Sequence, residues 1–519
     1  MSTADLNADL IAPVPWRREL WGMILAVLIG TAVLSSIQYS FEGLYDGDSY
    51  FHTRAAERLV AEGIRREFPA TQFSTWRDRY CDKDLLFHLL LAPLMRDSND
   101  LVRCGKLAAV CFDALLLLAL GSALMLLRAR WAGAWVLILL STHVSLLRHL
   151  MAVRPHLLGL ALLAVEIAAI AGGGWKLLFL LCALHVVAHS SFVLVPVLVA
   201  LAVCVRLVRR QSPGLSQVVA CVAGIAVCSL LHPQFPNNLS LVFDQTLEVA
   251  RNVWGGGRIP RDLFGSELGA MSTAVFLSAF PGFAPAALGL IGALTVRRPL
   301  SSASLKCLWI AALFAVLTFL SARFFSFFVV AAILLAARCW TDLCEPRGVL
   351  ARLRESSGAR VSVFLLAAGT IAGFVRARPG LVHEAIEDKP RSSCYQGAVE
   401  FLSRHAATED IVYHNFWWDF SALYHFRPEG RYVEALDPIF LYRFDPLKFE
   451  AMLSAWRGQT TDVYRVVASE FDARWIFLPY RRAADARNPT APFRSLVLRE
   501  ARFKQRYSDE FAEIYEVLR

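Results

Sequence analysis

The chain has 519 residues, of which 56% are hydrophobic, and a formal net charge of +9 at pH 7. The apolar residues are clustered into long runs, which excludes an ordinary soluble globular protein and indicates a polytopic membrane protein. Basic loops on the cytoplasmic side account for much of the charge. Because the sequence contains no basic recognition helix or RNA-binding motif, we expect no nucleic-acid partner.

The charges between the hydrophobic runs predict the topology. Arg17 and Arg18 precede the first run and place the N-terminus in the cytoplasm, and every later inner turn is basic. About 11 spans of roughly 20 residues follow from this pattern. The predicted spans are Leu20–Ile37, Lys106–Leu127, Trp131–Leu147, Leu157–Ala171, Trp175–His189, Ser191–Val205, Leu215–Leu231, Leu268–Leu294, Ser304–Leu320, Phe324–Ala337 and Val361–Phe374.

These spans make residues 1–376 a membrane domain with two long outer loops, 38–105 and 232–267. A re-entrant pair over 175–205 is an alternative that leaves the sidedness of later loops unchanged. Within the first outer loop, the apolar stretch Leu85–Met95 is expected to lie at the membrane surface. We expect an integral protein of the bacterial inner membrane.

Residues 377–519 have a soluble composition and are predicted to form a periplasmic α/β domain. The predicted strands are Asp410–His414, Arg431–Glu434, Arg474–Leu478 and Glu510–Leu518, and the predicted helices are Tyr395–Arg404, Pro446–Trp456 and Thr461–Phe471.

An acidic pair, Asp46 and Asp48, follows the first span and is separated by a single glycine. Two such carboxylates can bind a hard divalent cation, or one can act as a base while the other orients it. The alternative is a solvated turn that caps the next helix. His52 lies on that helix, within reach of the same face.

Basic and imidazole side chains lie at the outer ends of several spans. The guanidinium groups of Arg154 and Arg323 suit a phosphate, and the alternative is that they extend toward lipid headgroups. His185 and His189 are one helical turn apart, but without an HExxH frame we favour polar contacts to substrate over a zinc site. His156 and His232 lie at comparable outer positions. Asp113 and Glu166 lie inside spans, where an acidic residue is either paired or functional.

The run Asn415–Phe420 contains Trp417, Trp418 and Asp419 directly after a predicted strand. Paired indole rings with one carboxylate can bind a peptide or a sugar. The alternative is that these residues form the ordinary core of a small domain.

Together these features resemble the GT-C glycosyltransferases, polytopic enzymes that use polyprenyl-phosphate or -diphosphate sugars at the outer membrane face. Asp46-Gly47-Asp48 matches their acidic first-loop motif, and the surroundings of Arg154 and Arg323 look like patterns in bacterial members. Asn415–Phe420 is similar to the WWDYG motif of the STT3-type oligosaccharyltransferase subunit, although this sequence reads WWDFS. The resemblance covers nearly the whole chain.

The resemblance implies an inverting transferase that moves a sugar or glycan to a protein, lipid or glycan acceptor. Asp48 or Asp46 would deprotonate the acceptor or hold Mg²⁺ or Mn²⁺, while Arg154, Arg323 and His156 would bind the donor phosphate. The substrate contacts would come from His52, His189, His232, Trp417, Trp418 and Asp419. The alternatives are a polysaccharide ligase or polymerase outside this superfamily and a transporter with an outer domain.

Overall fold

The computed structural model describes residues 16–96, 98, 100–141, 144–278, 284, 287, 289–291, 300–343, 379, 392–414, 416–479 and 491–519. The predicted span Val361–Phe374 and the predicted boundary after residue 376 lie outside these residues. Much of the predicted span Leu268–Leu294 does so as well.

An apolar helical bundle forms the N-terminal part of the molecule. Its described helices are α1 Trp16–Gln38, α2 Gly47–Glu62, α3 Trp76–Arg79, α4 Leu85–Met95, α5 Leu101–Leu126, α6 Ala132–Ile138, α7 Val144–Met151, α8 His156–Gly172, α9 Trp175–Ala188, α10 Val195–Val208, α11 Leu215–Leu231, α12 Asn237–Val242, α13 Val249–Trp254, α14 Thr273–Ser278, α15 Ser302–Leu320 and α16 Phe325–Leu343. Short turns of 3-10 helix at Ser190–Leu194, Ser266–Leu268 and Ala322–Phe324 lie between them, and a π-helical turn covers Phe243–Glu248.

Within the described ranges, five helices are long and apolar enough to cross a membrane, or six if one bent pair counts as a single span. They are α1, α5, α15, Ser190–Val208 and Ala322–Leu343. This agrees with a helical membrane protein, while the number of about 11 spans stays a prediction.

Over the predicted span Trp131–Leu147 the described residues form two helices, α6 and α7, and residues 142 and 143 between them lie outside the described residues, so this span stays a prediction. Trp131 adopts a left-handed conformation (φ 59°) before α6, and a 3-10 turn ends α6 at Leu139–Ser141. The next break comes at Arg154-Pro155, since proline disfavours a helical residue before it. There the chain turns by 114° between Ser145–Met151 and α8, which leaves Arg154 at the corner.

The C-terminal domain is built on a mixed five-stranded sheet. Its strands are β1 Ile411–His414, β2 Arg431–Tyr432, β3 Ala473–Pro479, β4 Phe503–Ser508 and β5 Ala512–Val517, in the spatial order β2-β1-β3-β5-β4. β1 pairs in parallel with β2 and β3, and β5 pairs antiparallel with β3 and β4. Its helices are α17 Gln396–His405, α18 Asp419–Phe426, α19 Pro438–Phe444, α20 Pro446–Trp456 and α21 Ala491–Arg499, and Arg465–Glu470 is a π-helical turn rather than the predicted α-helix.

The first outer loop packs directly against this domain. Residues 70–73 run along β2, where Gln72 N–H donates to Tyr432 O (2.8 Å) and Phe73 N–H donates to Val433 O (2.9 Å). Phe51 of α2 lies in the same hydrophobic core as Phe420 and Tyr424 of α18. The acidic end of α2 is therefore held between the helical bundle and the C-terminal domain.

Candidate active site

The acidic pair is held at the N-terminal end of α2 and contacts the corner before α8. Asp46 is the N-cap of α2, and its Oδ1 accepts the N–H of Asp48 (2.8 Å). The guanidinium of Arg154 donates to Asp48 Oδ2 (2.5 Å) and reaches Asp46 Oδ2 (3.5 Å). The capping role considered for this turn is thus observed at Asp46. The Asp48 carboxylate instead forms a charge-assisted hydrogen bond across 106 residues of sequence.

Arg323 belongs to the same region through a residue that the sequence analysis missed. Its Nη2 donates to Glu267 Oε1 (3.2 Å), and Glu267 lies in the 3-10 turn of the second outer loop. That turn is anchored beside Arg323, because Ser321 Oγ donates to Glu267 O (2.9 Å) and Ala322 N–H donates to Gly269 O (2.7 Å). A single acidic residue in a loop belongs to no sequence motif, so only its contacts in the structure identify Glu267 as a candidate site residue.

Glu267 also connects Arg323 to the acidic pair electrostatically. Burial raises the pKa of the Asp48 carboxyl, and the neighbouring charges of Asp46 and Glu267 raise it further against the opposing effect of Arg154. Burial acts in the same direction on Glu267, but Arg323 and Arg154 outweigh it and lower the pKa of that carboxyl. Carboxyl groups whose pKa values are pushed apart are suited to different roles in proton transfer.

Lys83 is a second group that the sequence analysis did not select. Its ammonium contacts Asp84 Oδ2 (3.0 Å) in the segment before α4. It is near enough to lower the pKa of Asp48, and its charge also acts on His189 and Asp437. Lys83 therefore adds positive charge between the bundle and the C-terminal domain.

The predicted histidines fall into different surroundings. His156 Nε2 donates to His149 O (3.1 Å) at the corner that carries Arg154. His52 Nδ1 contacts His88 Nε2 (2.9 Å), whose Nδ1 contacts Asp82 Oδ2 (2.6 Å).

The remaining predicted histidines separate into two groups. His189 contacts Ser191 beside the start of α8. His232 Nδ1 accepts the N–H of Gln234 (3.2 Å), a local turn contact, and no contact to the acidic pair is found for it among the described residues.

The Trp417-Trp418-Asp419 run lies where β1 leads into α18. Trp417 Nε1–H donates to Leu263 O (2.8 Å) in the second outer loop, and the Trp418 ring stacks on Phe416 at 4.4 Å between centroids. Asp419 is 2% exposed. Trp417 also lines a small, open pocket together with Leu263, Phe416, Glu434, Phe449, Met452, Leu453 and Trp456. Asp419 is packed inside and Trp418 is half-buried against Phe416, while Trp417 lines a pocket. A binding role for the run stays a prediction, and Asn415 lies outside the described residues.

The arrangement bears on the predicted divalent cation. Within the described residues, no group of three or more His, Cys, Asp or Glu side chains is placed to hold a metal ion. Arg154 contacts both Asp46 and Asp48. These two carboxylates therefore do not fit a cation site as they stand, since the guanidinium occupies the position between them.

Comparison with known proteins gives structural but not sequence relatives. No family model matches the chain, and no curated protein matches it. The crystal structure of the oligosaccharyltransferase of Archaeoglobus fulgidus in its apo form aligns over 89% of this chain and 69% of its own, with a TM-score of 0.63 and 11% identity. The same archaeal enzyme, AglB, in complex with an inhibitory peptide and a dolichol-phosphate aligns over 89% and 70%, with a TM-score of 0.62 and 11% identity.

A second structural relative has a bacterial source. ArnT from Cupriavidus metallidurans bound to undecaprenyl phosphate aligns over 96% of this chain and 98% of its own, with a TM-score of 0.56 and 14% identity. At these identities the likeness concerns the fold. The chain has the fold of AglB and ArnT, both GT-C glycosyltransferases, so the predicted resemblance is confirmed at that level.

Proposed function

We propose that this chain, which has a GT-C fold, is an inverting glycosyltransferase of the outer membrane face. Its donor is a polyprenyl-phosphate or -diphosphate sugar or glycan, and its acceptor is a protein, lipid or glycan group. The observation that carries the proposal is the charge cluster of Asp48, Arg154, Glu267 and Arg323, to which four separate chain segments contribute one residue each. AglB with dolichol-phosphate and ArnT with undecaprenyl phosphate are solved examples of the same fold with lipid phosphates.

Asp48 is the proposed general base. One of its oxygens is held by Arg154, and no contact of Oδ1 is found among the described residues, so this oxygen is free to accept a proton. A base is most effective when its pKa approaches the working pH, and burial moves Asp48 in that direction. The acceptor oxygen or nitrogen loses its proton to Asp48 Oδ1 as it attacks the anomeric carbon opposite the phosphate.

Arg323 is the proposed principal ligand of the donor phosphate. Its side chain is 51% exposed, and its only described anionic partner is Glu267. The guanidinium can therefore turn a free edge toward a phosphate. Arg154 and Lys83 add positive charge nearby, which stabilises the charge that develops on the leaving phosphate. The predicted phosphate contact of His156 does not fit, because its Nε2–H is donated to His149 O and the neutral ring has no second N–H. Trp417 and the adjoining pocket are proposed to contact the acceptor.

The metal role of Asp46 and Asp48 remains a separate proposal. A Mg²⁺ or Mn²⁺ ion could bind the pair only after Arg154 moved away from it. The Archaeoglobus fulgidus enzyme has been solved in complex with Zn and sulfate, which supports this proposal. Transfer measured with EDTA and then with added Mg²⁺ or Mn²⁺ tests the proposal, which requires the ion to restore activity.

The function is tested by incubating the purified protein in lipid nanodiscs with labelled polyprenyl-phosphate and polyprenyl-diphosphate sugars. A membrane extract of the host supplies acceptors, and Asp48→Asn is the control. We expect labelled product and released polyprenyl phosphate or diphosphate with the wild type only, and an anomeric configuration opposite to that of the donor. Intact donors throughout with folded wild-type protein would refute the proposed activity.

The proposed orientation gives a further prediction. Reporter fusions after Arg130, Arg298 and Gly380 should report cytoplasm, cytoplasm and periplasm, because the inner turns are basic and the C-terminal domain packs against the first outer loop. A cytoplasmic signal after Gly380 would place the cluster on the wrong face for lipid-linked sugars.

A further inference from the structure

A chain of buried polar side chains runs through the helical bundle and ends at His189. His185 Nδ1 contacts Glu166 Oε2 (3.0 Å), His185 Nε2 contacts Ser191 Oγ (2.8 Å), and Ser191 Oγ contacts His189 Nδ1 (2.8 Å). Glu166 and His185 are fully buried, and Ser191 is 7% exposed. Ionisable groups at such positions are costly unless they are paired or serve a function. The mechanism above assigns no role to Glu166, His185 or Ser191.

The direction of each hydrogen bond follows from one main-chain contact. The backbone N–H of Ser191 points at His189 Nδ1 (3.2 Å), and a backbone N–H can only donate, so Nδ1 carries a lone pair. The Ser191 hydroxyl lies at 2.8 Å from the same atom and must also donate, because two lone pairs would otherwise face each other. Ser191 Oγ then accepts from His185 Nε2–H.

The remaining proton of the chain lies between His185 Nδ1 and Glu166. It can reside on the imidazole, giving an ion pair, or on the carboxyl, giving a neutral pair. Both arrangements leave the N–H at His185 Nε2 and so leave His189 unchanged. A neutral His189 with a lone pair on Nδ1 must carry its proton on Nε2.

His189 is also fixed in orientation and position. Its ring packs against the backbone of α8 at Gly159, where an added Cβ would lie 2.8 Å from Nδ1. Within the described residues no partner of His189 Nε2 is found, and Lys83, His156 and Arg323 are near enough for their charges to act on the ring. The ring of His189, whose Nε2–H has no partner among the described residues, is therefore within electrostatic reach of groups proposed to bind the donor phosphate.

We propose that Glu166, His185 and Ser191 are positioning residues that hold His189 as its Nε2–H tautomer, so that it donates a hydrogen bond to a phosphate oxygen of the lipid-linked donor. The identity of the anion rests on the proposed function. As the bond between sugar and phosphate breaks, its electrons pass to the phosphate oxygen. A hydrogen bond from a fixed N–H donor to that oxygen is therefore stronger in the transition state than in the bound ground state.

Two substitutions at His189 separate donation from Nε2 and from Nδ1. The amide nitrogen of Gln reaches the position of Nε2, whereas that of Asn reaches only the position of Nδ1. We expect His189→Asn to lower kcat/KM by about 10–100-fold, the usual effect of losing one hydrogen bond to a charged group, with much of the loss in kcat. His189→Gln should retain most of the wild-type value. Equal losses in the two variants would overturn the proposal.

The positioning chain is tested at Ser191. Ser191→Ala should reduce kcat/KM, Ser191→Thr should restore it because the hydroxyl is kept, and Ser190→Ala serves as the neighbouring control. A Thr variant as impaired as the Ala variant, with both folded, would contradict a role for the hydroxyl.

The tautomer itself is measured by ¹⁵N NMR of histidine-labelled wild-type protein in nanodiscs, with His189 assigned from the His189→Gln spectrum. We expect an unprotonated Nδ1, a protonated Nε2, and a shift of the Nε2 signal on adding undecaprenyl phosphate. A protonated Nδ1, or no response to the lipid phosphate, would overturn the proposal. This readout needs no sugar transfer, so it separates a failure of the tautomer proposal from a failure of the proposed function.

Discussion

Replacing Asp48 by Asn is expected to lower sugar transfer by about 10²–10⁴-fold, the usual contribution of a general base. Asn has the shape of Asp and can still accept a hydrogen bond from Arg154, so the contact at the corner before α8 is kept. The lost property is the ability to take up a proton at Oδ1. The measurement is initial rate with a labelled polyprenyl-phosphate sugar, alongside thermal unfolding of both proteins.

Asp46→Asn is the matched control for this prediction. Asn caps a helix about as well as Asp, so the start of α2 should be preserved, and Asp46 is the more distant partner of Arg154 at 3.5 Å. We expect its effect to be much smaller than that of Asp48→Asn. Equal losses in the two variants would argue for shared metal binding, and rescue by Mg²⁺ or Mn²⁺ would establish it. If both variants kept wild-type turnover, the acidic turn would have no role in catalysis and would only cap the helix.

The pH dependence should identify the same carboxyl. The base form of Asp48 is the ionised form, and its pKa is raised by burial and by neighbouring acidic groups. The rate should therefore fall as the pH is lowered through a pKa above the usual range of an aspartate. This acidic limb is expected in the wild type and in Asp46→Asn, and its absence from the wild type would exclude Asp48 as the base.

Replacing Arg154 by Met is the second change with a large expected effect. We expect kcat/KM to fall by roughly 10²–10³-fold, which is the usual effect of removing one fixed hydrogen-bond donor to a transition state. The substitution removes the guanidinium from between two partly buried carboxylates and weakens the positive charge near Arg323. Without it, Asp46, Asp48 and Glu267 repel one another and an approaching phosphate. Arg154→Lys should recover part of the rate, since it restores the charge but not the two-pronged contact.

Arg474→Lys provides the control for Arg154. Arg474 pairs with Glu516 (3.0 Å) on the sheet of the C-terminal domain, away from the charge cluster, and lysine keeps the positive charge of this pair. Its kcat/KM should stay near the wild-type value. A loss at Arg154→Met no greater than at Arg474→Lys, in folded protein, would show that Arg154 has no part in transfer.

Local features of the fold follow from the sequence because short-range physics decides them. The apolar stretch Leu85–Met95 and the helix Pro446–Trp456 have the predicted bounds. In the second case Asp445 accepts backbone N–H groups at the start and proline occupies the first turn. Strand β3 exceeds its prediction by one residue at each end. The helix Asp419–Phe426 was not predicted, since its aromatic residues have the composition of a strand as much as of a helix.

The sequence by itself determined that this is a helical membrane protein with a C-terminal α/β domain, and it singled out Asp48, Arg154 and Arg323. Hydrophobic runs, loop charges and short motifs carry that information along the chain. Only the tertiary structure decided that Arg154 contacts both acidic residues, that Glu267 joins Arg323 to them, and which nitrogen of His189 bears the proton. These properties depend on atoms from segments 56 to 108 residues apart, or on the direction of a single N–H. Distances and hydrogen-bond directions of that kind leave no periodic trace in a sequence.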